Sequence, residues 1–248
     1  MSLLRIVSLV CLALVLGACQ SLFTPSMRAP LPVERDASEI IKPGCTTADC
    51  PLVNIDTVHF PDEPKLDAIV QRTLLQLTRT DSDAPLPASL KDYQEQFLSR
   101  AQGRNSSYLQ AKVREQHDGI VVIELSSYLD NGADHGSPGR AFINYSRQQQ
   151  KVLTLADMVV PGKENEFWQK AEMAHLAWLA STGMNKDTEF MQTWPFKRTP
   201  NIALTYGAVI LKYPVDTIAP YSMGHIELKL PYPQLNGVVK PELFPGRG

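Results

Sequence analysis

Three side chains in this sequence have the types needed for metal binding or proton transfer. Asp134 and His135 lie in a glycine-rich stretch, and His225 lies far downstream. Brought together, a carboxylate and two imidazoles hold a cation or serve as a general base. The same residues have a local reading. An Asp in such a turn hydrogen-bonds backbone amides, while Gly132, Gly136 and Gly139 admit positive φ angles. His59, His117 and His175 stand at no ligand spacing, so neither a metal nor another cofactor is expected. Ser222 sits in Pro220-Tyr-Ser-Met-Gly224, which lacks the first glycine of a nucleophile elbow and leads toward a strand rather than a helix. Trp168 and Trp178 fall at helical spacing and are expected in the core. Trp194, in Met191-Gln-Thr-Trp-Pro-Phe196, is the candidate for exposed stacking on a sugar ring.

The cysteines carry a different chemistry. Met1 to Arg5 is weakly basic, Ile6 to Leu16 is apolar, and Leu16-Gly17-Ala18-Cys19 follows. This is the layout of a bacterial lipoprotein signal: residues 1–18 are removed, and the Cys19 thiol takes acyl chains of the palmitate type. The apolar run is too short to span a bilayer comfortably. Attachment to a membrane is therefore expected through lipid, on the periplasmic side of the cell envelope. Gln20 in place of an inner-membrane retention Asp favours the outer membrane. Cys11 leaves with the signal, which leaves Cys45 and Cys50 as an even pair in an oxidising compartment, where a disulfide is expected. A redox-active role fits poorly, because the spacing is C-x4-C and no βαβ pattern surrounds it.

The composition suits a globular body. Hydrophobic residues make up 44% of the chain, enough for a core, and the formal net charge is -2 with acids and bases interspersed. No basic stripe points to nucleic acid.

Positioning these residues requires the following elements. Residues 19–44 read as a lipidated start and an extended linker containing Pro25, Pro30 and Pro32. A first subdomain is expected over 45–123. It opens with a strand, Pro51 to Phe60, then a helix with Leu66, Ile69, Val70, Leu74 and Leu77 on one face and Pro64 in its first turn. A second helix starts after the N-cap Ser89. Strands then run from Tyr108 to Gln116 and from Ile120 to Tyr128, joined by the hairpin signal His117-Asp118-Gly119. A second domain is expected over 124–248. It holds the Asn131 to Gly139 loop, a strand from Arg140 to Arg147, a long helix from Glu164 to Thr182 stopped by Gly183, and strands through Asn201–Thr205, Ala208–Tyr213 and Ile226–Leu230. Hairpins with a few helices and no βαβαβ rhythm predict an α+β fold, an antiparallel sheet with packed helices.

Two segments go beyond generic folding signals. One is Asn131-Gly-Ala-Asp-His-Gly136 with Phe142-Ile-Asn-Tyr145 and Val152-Leu-Thr-Leu-Ala-Asp157. The other is Val209-Ile-Leu-Lys-Tyr213 through Ile218-Ala-Pro-Tyr-Ser-Met-Gly224 and Ile226 to Tyr232. Over roughly Glu124 to Leu235 the chain resembles the extracytoplasmic domain of RsiV-type anti-sigma proteins, which also accompanies the catalytic domain of PdaC-type peptidoglycan deacetylases. Cys45 to Leu77 resembles the smaller module that often precedes it. The resemblance implies a receptor domain that binds lysozyme outside the cell. The chain shows no sigma-binding segment, so only the extracytoplasmic module is shared. The expected function is then binding without catalysis, to a lysozyme-like muramidase or to peptidoglycan. The expected surface comprises Asn131, Asp134, His135, Gly136, Tyr221, Met223 and His225. The rivals are an envelope enzyme using Asp134, His135 and His225, and a purely structural lipoprotein.

Overall fold

The computed structural model describes residues 29–79, 81 and 83–246. The expected signal sequence and lipidated Cys19 lie outside the described residues. Among the described residues nine strands form two sheets. The larger has the order β1 (Glu34–Ile41), β2 (Leu52–His59), β3 (Ser106–His117), β4 (Ile120–Asp130), β5 (Ser137–Ser146) and β6 (Lys151–Val152). The smaller is an antiparallel meander of β7 (Ile202–Leu204), β8 (Val209–Tyr213) and β9 (Ile226–Leu230). The fold is α+β, as expected. One pairing in the large sheet, β2 with β3, is parallel. It arises because two helices, α1 (Pro64–Leu77) and α2 (Leu90–Arg100), form the connection between those strands. A return by two helices brings the chain back in its original direction.

Local signals account for most boundaries. Pro64 opens α1, where its missing N–H costs nothing. Ser89 caps α2 by accepting from the Asp92 amide. The hairpin between β3 and β4 turns on Asp118 and Gly119, with φ of 46° and 75°, the doubly left-handed geometry that Asp-Gly favours. A short helix, α3 (Leu155–Met158), begins with a capping box between Thr154 and Asp157. The long helix α4 (Glu164–Thr182) ends on Gly183 at φ 76°. A further short helix, α5 (Thr188–Thr193), follows.

The large sheet is buried on both faces, and β4 serves both. Val121, Ile123 and Leu125 point to a first core with Leu66, Val70 and Leu74 of α1. Ile120 and Val122 point to a second core with Phe167, Trp168 and Ala171 of α4 and the whole inner face of the small sheet. The division expected at Glu124 thus falls inside a strand common to both cores. The boundary between the cores is the sheet plane rather than a point in the sequence.

The linker expected over residues 19–44 is overturned for its latter part. Leu31 is buried and exchanges two hydrogen bonds with the Gln116 side chain, at 2.8 and 3.1 Å. The Arg147 guanidinium donates to the Ala29 carbonyl at 2.6 Å. Glu34–Ile41 then pairs with β2 along its full length. Every residue of β1 is exposed, so no apolar alternation marks it. Backbone pairing and polar cross-strand contacts hold it, Arg35 to Asp56 at 2.6 Å and Asn54 to Glu39 at 2.9 Å. At the tip of this hairpin Cys45 and Cys50 meet with Cα atoms 5.8 Å apart, as a disulfide.

Candidate binding site

The two signature segments meet at the rim between the sheets. The glycine-rich loop leaves β4 at Asp130, whose carboxylate accepts from the Gly132 amide at 2.8 Å. It re-enters β5 through Gly136. A Cβ on Gly136 would lie 2.3 Å from the Tyr128 ring, so only glycine lets the loop close over that tyrosine. The Gly136 amide donates to the Tyr128 hydroxyl at 3.2 Å, which fixes the distance. From the small sheet comes a single 3-10 turn, Tyr221–Met223, closed by Gly224 at φ 69° and ψ -155°, a conformation almost confined to glycine. The His135 ring stacks on Tyr221 with centroids 4.5 Å apart and planes 30° apart. Around this stack Asn131, Ala133, Asp134 and Ser222 are exposed. Met223 is half-buried and packs against the second core, so it anchors the turn more than it presents a surface.

Beneath the rim lies a ring of charge that the sequence reading missed. The β3–β4 register shifts between Val113 and Glu115, leaving Arg114 as the bulged residue. A bulge re-aims its side chain. Arg114 here reaches Glu124 of β4 at 2.7 Å and Glu227 of β9 at 3.1 and 3.2 Å. Lys212 of β8 pairs with Glu227 at 3.1 Å and also contacts Glu124. Arg114 and Lys212 both lie 6.0 Å from the centre of the Phe142 ring. Two cations and two carboxylates thus bridge the two sheets. Burial pushes the carboxyls of Glu124 and Glu227 up, but the hydrogen bonds and charges of Lys212 and Arg114 outweigh it, and both stay below the usual carboxylate range. A signal for part of this ring is present in the sequence: Lys212 interrupts the otherwise apolar Val209–Tyr213 run, and Glu227 falls opposite it in the β8–β9 register.

Arg140 is half-buried on β5 and donates to the adjacent Gly139 carbonyl at 2.8 Å. Among the described residues it makes no salt bridge, though it feels the charge of Glu124. Burial lowers its pKa, yet a guanidinium stays charged at any physiological pH. Burial also lowers the pKa of His225, and the nearby Arg140 charge lowers it further, so this imidazole is neutral at pH 7.

Among the described residues no hydrogen bond joins Asp134, His135 and His225. Nδ1 of His135 faces the Gly136 carbonyl at 3.4 Å, and Nδ1 of His225 faces the Tyr213 carbonyl at 3.3 Å. Nor do the described residues contain a group of three or more His, Cys, Asp or Glu placed to hold a metal ion. The rim offers stacked aromatic rings, exposed amide and carboxylate groups and the half-buried Arg140 guanidinium, groups that suit recognition. Trp168 is buried in the second core, as expected, with Trp178 packed at its edge. Trp194 is not in an open loop: it is the C-cap of α5, its backbone N–H donates to the Phe190 carbonyl, and it is half-buried.

Comparison with known proteins places this architecture. Residues 156–233 match a family model described as a protein of unknown function (DUF3298), a span holding α4, the small sheet and the Tyr221–Gly224 turn. Nothing among the curated proteins matches. A crystal structure of a DUF3298 family protein from Pseudomonas aeruginosa PAO1 is 63% identical, covering 90% of this chain and 100% of that one, with a TM-score of 0.86. A second crystal structure, of a DUF3298 member from Bacteroides fragilis NCTC 9343, is 16% identical, covers 88% of this chain and 96% of that one, and has a TM-score of 0.63. At that identity it speaks for the fold alone. With a large sheet that carries a core on each face, and a relative this similar across its whole length, the chain belongs to the DUF3298 family.

Proposed function

We propose that this chain is a lipid-anchored cell-envelope protein that binds a lysozyme-like muramidase without performing catalysis itself. The observation that carries the reading is the His135–Tyr221 stack, which unites two segments distant in sequence into one exposed surface. These are the segments that resemble the RsiV-type receptor domain. The electrostatics favour such a partner. A muramidase carries a pair of carboxylates in its cleft, and Arg140 is a desolvated guanidinium with no acid bonded to it. The tether rests on Leu16-Gly17-Ala18-Cys19. On this reading Cys19→Ala moves the protein from the membrane fraction to the soluble one.

The test is calorimetric titration of a soluble chain beginning at Gln20 with hen-type and goose-type lysozymes and with soluble muropeptides. Micromolar or tighter binding to a lysozyme is expected. His135→Ala and Tyr221→Ala should each weaken it by at least roughly tenfold, as for aromatic residues central to an interface. Silence with both lysozymes sinks the proposal, and binding to muropeptides alone replaces it with wall attachment.

A further inference from the structure

A second site lies on the opposite side of the large sheet, against the first core. A cavity of about 540 Å³ opens between the end of α1, the loop at 84–87, α2 and the ends of β3 and β4. That is the size of a small-molecule site. Its lining has a distinctive charge pattern. Arg79 and Arg100 both line it, neither makes an ion pair among the described residues, and no Asp or Glu is among the lining residues. Asp81 belongs to the neighbouring loop, where it accepts from the Asp83 amide at 3.0 Å. Gln96, Gln102 and Asn131 add three side-chain amides that make no hydrogen bond within the described residues. Asn105 also lines the cavity, but its side chain is engaged: its oxygen accepts from the Gln102 backbone N–H at 2.8 Å and its nitrogen donates to the Asp130 carbonyl at 3.4 Å. Phe97 supplies an apolar wall, tilted against Tyr93 at 6.1 Å. The Tyr93 hydroxyl is held by Ser107 at 2.6 Å, so the floor is rigid.

We propose that this cavity binds a small ligand carrying a carboxylate beside secondary amide groups. Two unpaired guanidiniums over a wall without acids favour a carboxylate, and a guanidinium meets one with two parallel hydrogen bonds. The free amides both donate and accept, which matches peptide or acetamido groups. Phe97 takes the apolar face of the ligand. Two sources share this chemistry: a short acidic peptide, and an N-acetylated sugar bearing such a peptide. The inference does not depend on the muramidase reading: Asn131 borders both surfaces, but Arg79 and Arg100, which carry the proposal, lie outside the His135–Tyr221 surface.

The experiment is calorimetric titration of the full-length protein in detergent with three probes. They are N-acetylmuramyl-L-alanyl-D-isoglutamine, N-acetyl-L-alanyl-D-glutamate, and neutral diacetylchitobiose. At least one carboxylated probe should bind, more weakly as salt rises, and chitobiose should not. The probe preferred identifies the source. Arg79→Gln combined with Arg100→Gln should weaken binding at least about tenfold, the scale of losing one charge-assisted hydrogen bond. Both residues are exposed, so folding should be intact, and circular dichroism checks this. His135→Ala should leave the binding unchanged. The proposal is overturned if no carboxylated probe binds, if chitobiose binds equally, if the double variant binds like the native protein, or if His135→Ala abolishes binding.

Discussion

Asn144 offers the sharpest test of how the two sheets are joined. It lies on β5 facing the second core and is almost fully buried. Its side-chain amide donates to the Ile202 carbonyl at 2.7 Å, and its oxygen accepts from the Leu204 amide at 2.8 Å. These backbone groups belong to β7, the edge of the small sheet, and both residues are buried, so no water can replace the bonds. One side chain completes the edge that a further strand would otherwise complete. Asn144→Leu keeps the volume but leaves one donor and one acceptor unpaired. At about 1–3 kcal/mol for each of two buried orphans, the loss should be roughly 2–6 kcal/mol. At about 2–4 °C per kcal/mol for a body of this size, that corresponds to a fall in Tm of roughly 4–24 °C. Urea unfolding followed by fluorescence and by far-UV circular dichroism measures it. Asn144→Asp separates the terms: it keeps the acceptor, loses the donor and places a carboxylate against the Ile202 carbonyl. That variant should be less stable at pH 7 than near pH 4, where protonation restores a donor. A folded Asn144→Leu protein within about 0.5 kcal/mol of native, the range of ordinary surface changes, would falsify the claim that this amide holds the edge.

Three further outcomes are expected. Gly136→Ala drives a methyl into the Tyr128 ring and should destabilise the protein by about 1–3 kcal/mol; adding Tyr128→Ala should recover part of that loss in thermal unfolding, and no recovery would place the strain elsewhere. The depressed carboxyls of Glu124 and Glu227 contribute stability that is complete above the ordinary Glu pKa of about 4.3 and lost as pH falls through their lower folded values. The acid limb of the urea midpoint should therefore flatten when both are changed to Gln, and an unchanged limb would count against the ring of charge. Reducing Cys45–Cys50, or replacing both with Ser, closes no long loop and should cost only about 1–2 kcal/mol, with faster amide exchange in β1; a much larger loss would mean that the bridge does more than hold the hairpin tip.

The parts of the fold legible in the sequence were those with a buried face or a strong cap. Leu66, Val70 and Leu74 fall on one side of α1, and Gly183 stops α4, so periodicity and glycine chemistry suffice there. β1 was not legible, because nothing in Glu34–Ile41 is buried and its pairing rests on backbone groups that every sequence has. The site was legible in its loops and not in its strands. The Asn131 to Gly139 loop and the Tyr221 turn announce themselves by glycine and proline. The charged ring depends on a one-residue bulge at Arg114, which shifts every later side chain of β3 relative to β4. No local pattern encodes which of two neighbouring positions bulges. The partnership of Glu124 with Lys212 was hidden for a related reason: it joins two sheets, and strand alternation describes only one at a time.

Because β4 gives one face to each core, neither core has a complete wall when the other melts. Unfolding is therefore expected as one cooperative event, with calorimetric and van't Hoff enthalpies that agree. Such a molecule reports globally on local events. A ligand seated against the helices of the first core and a protein seated on the rim of the second draw on the same folding equilibrium. Each raises the same melting temperature by an amount set only by its concentration and affinity. A single thermal-shift screen of this protein thus surveys both faces at once, and two ligands that bind independently should give shifts that correspond to additive free energies.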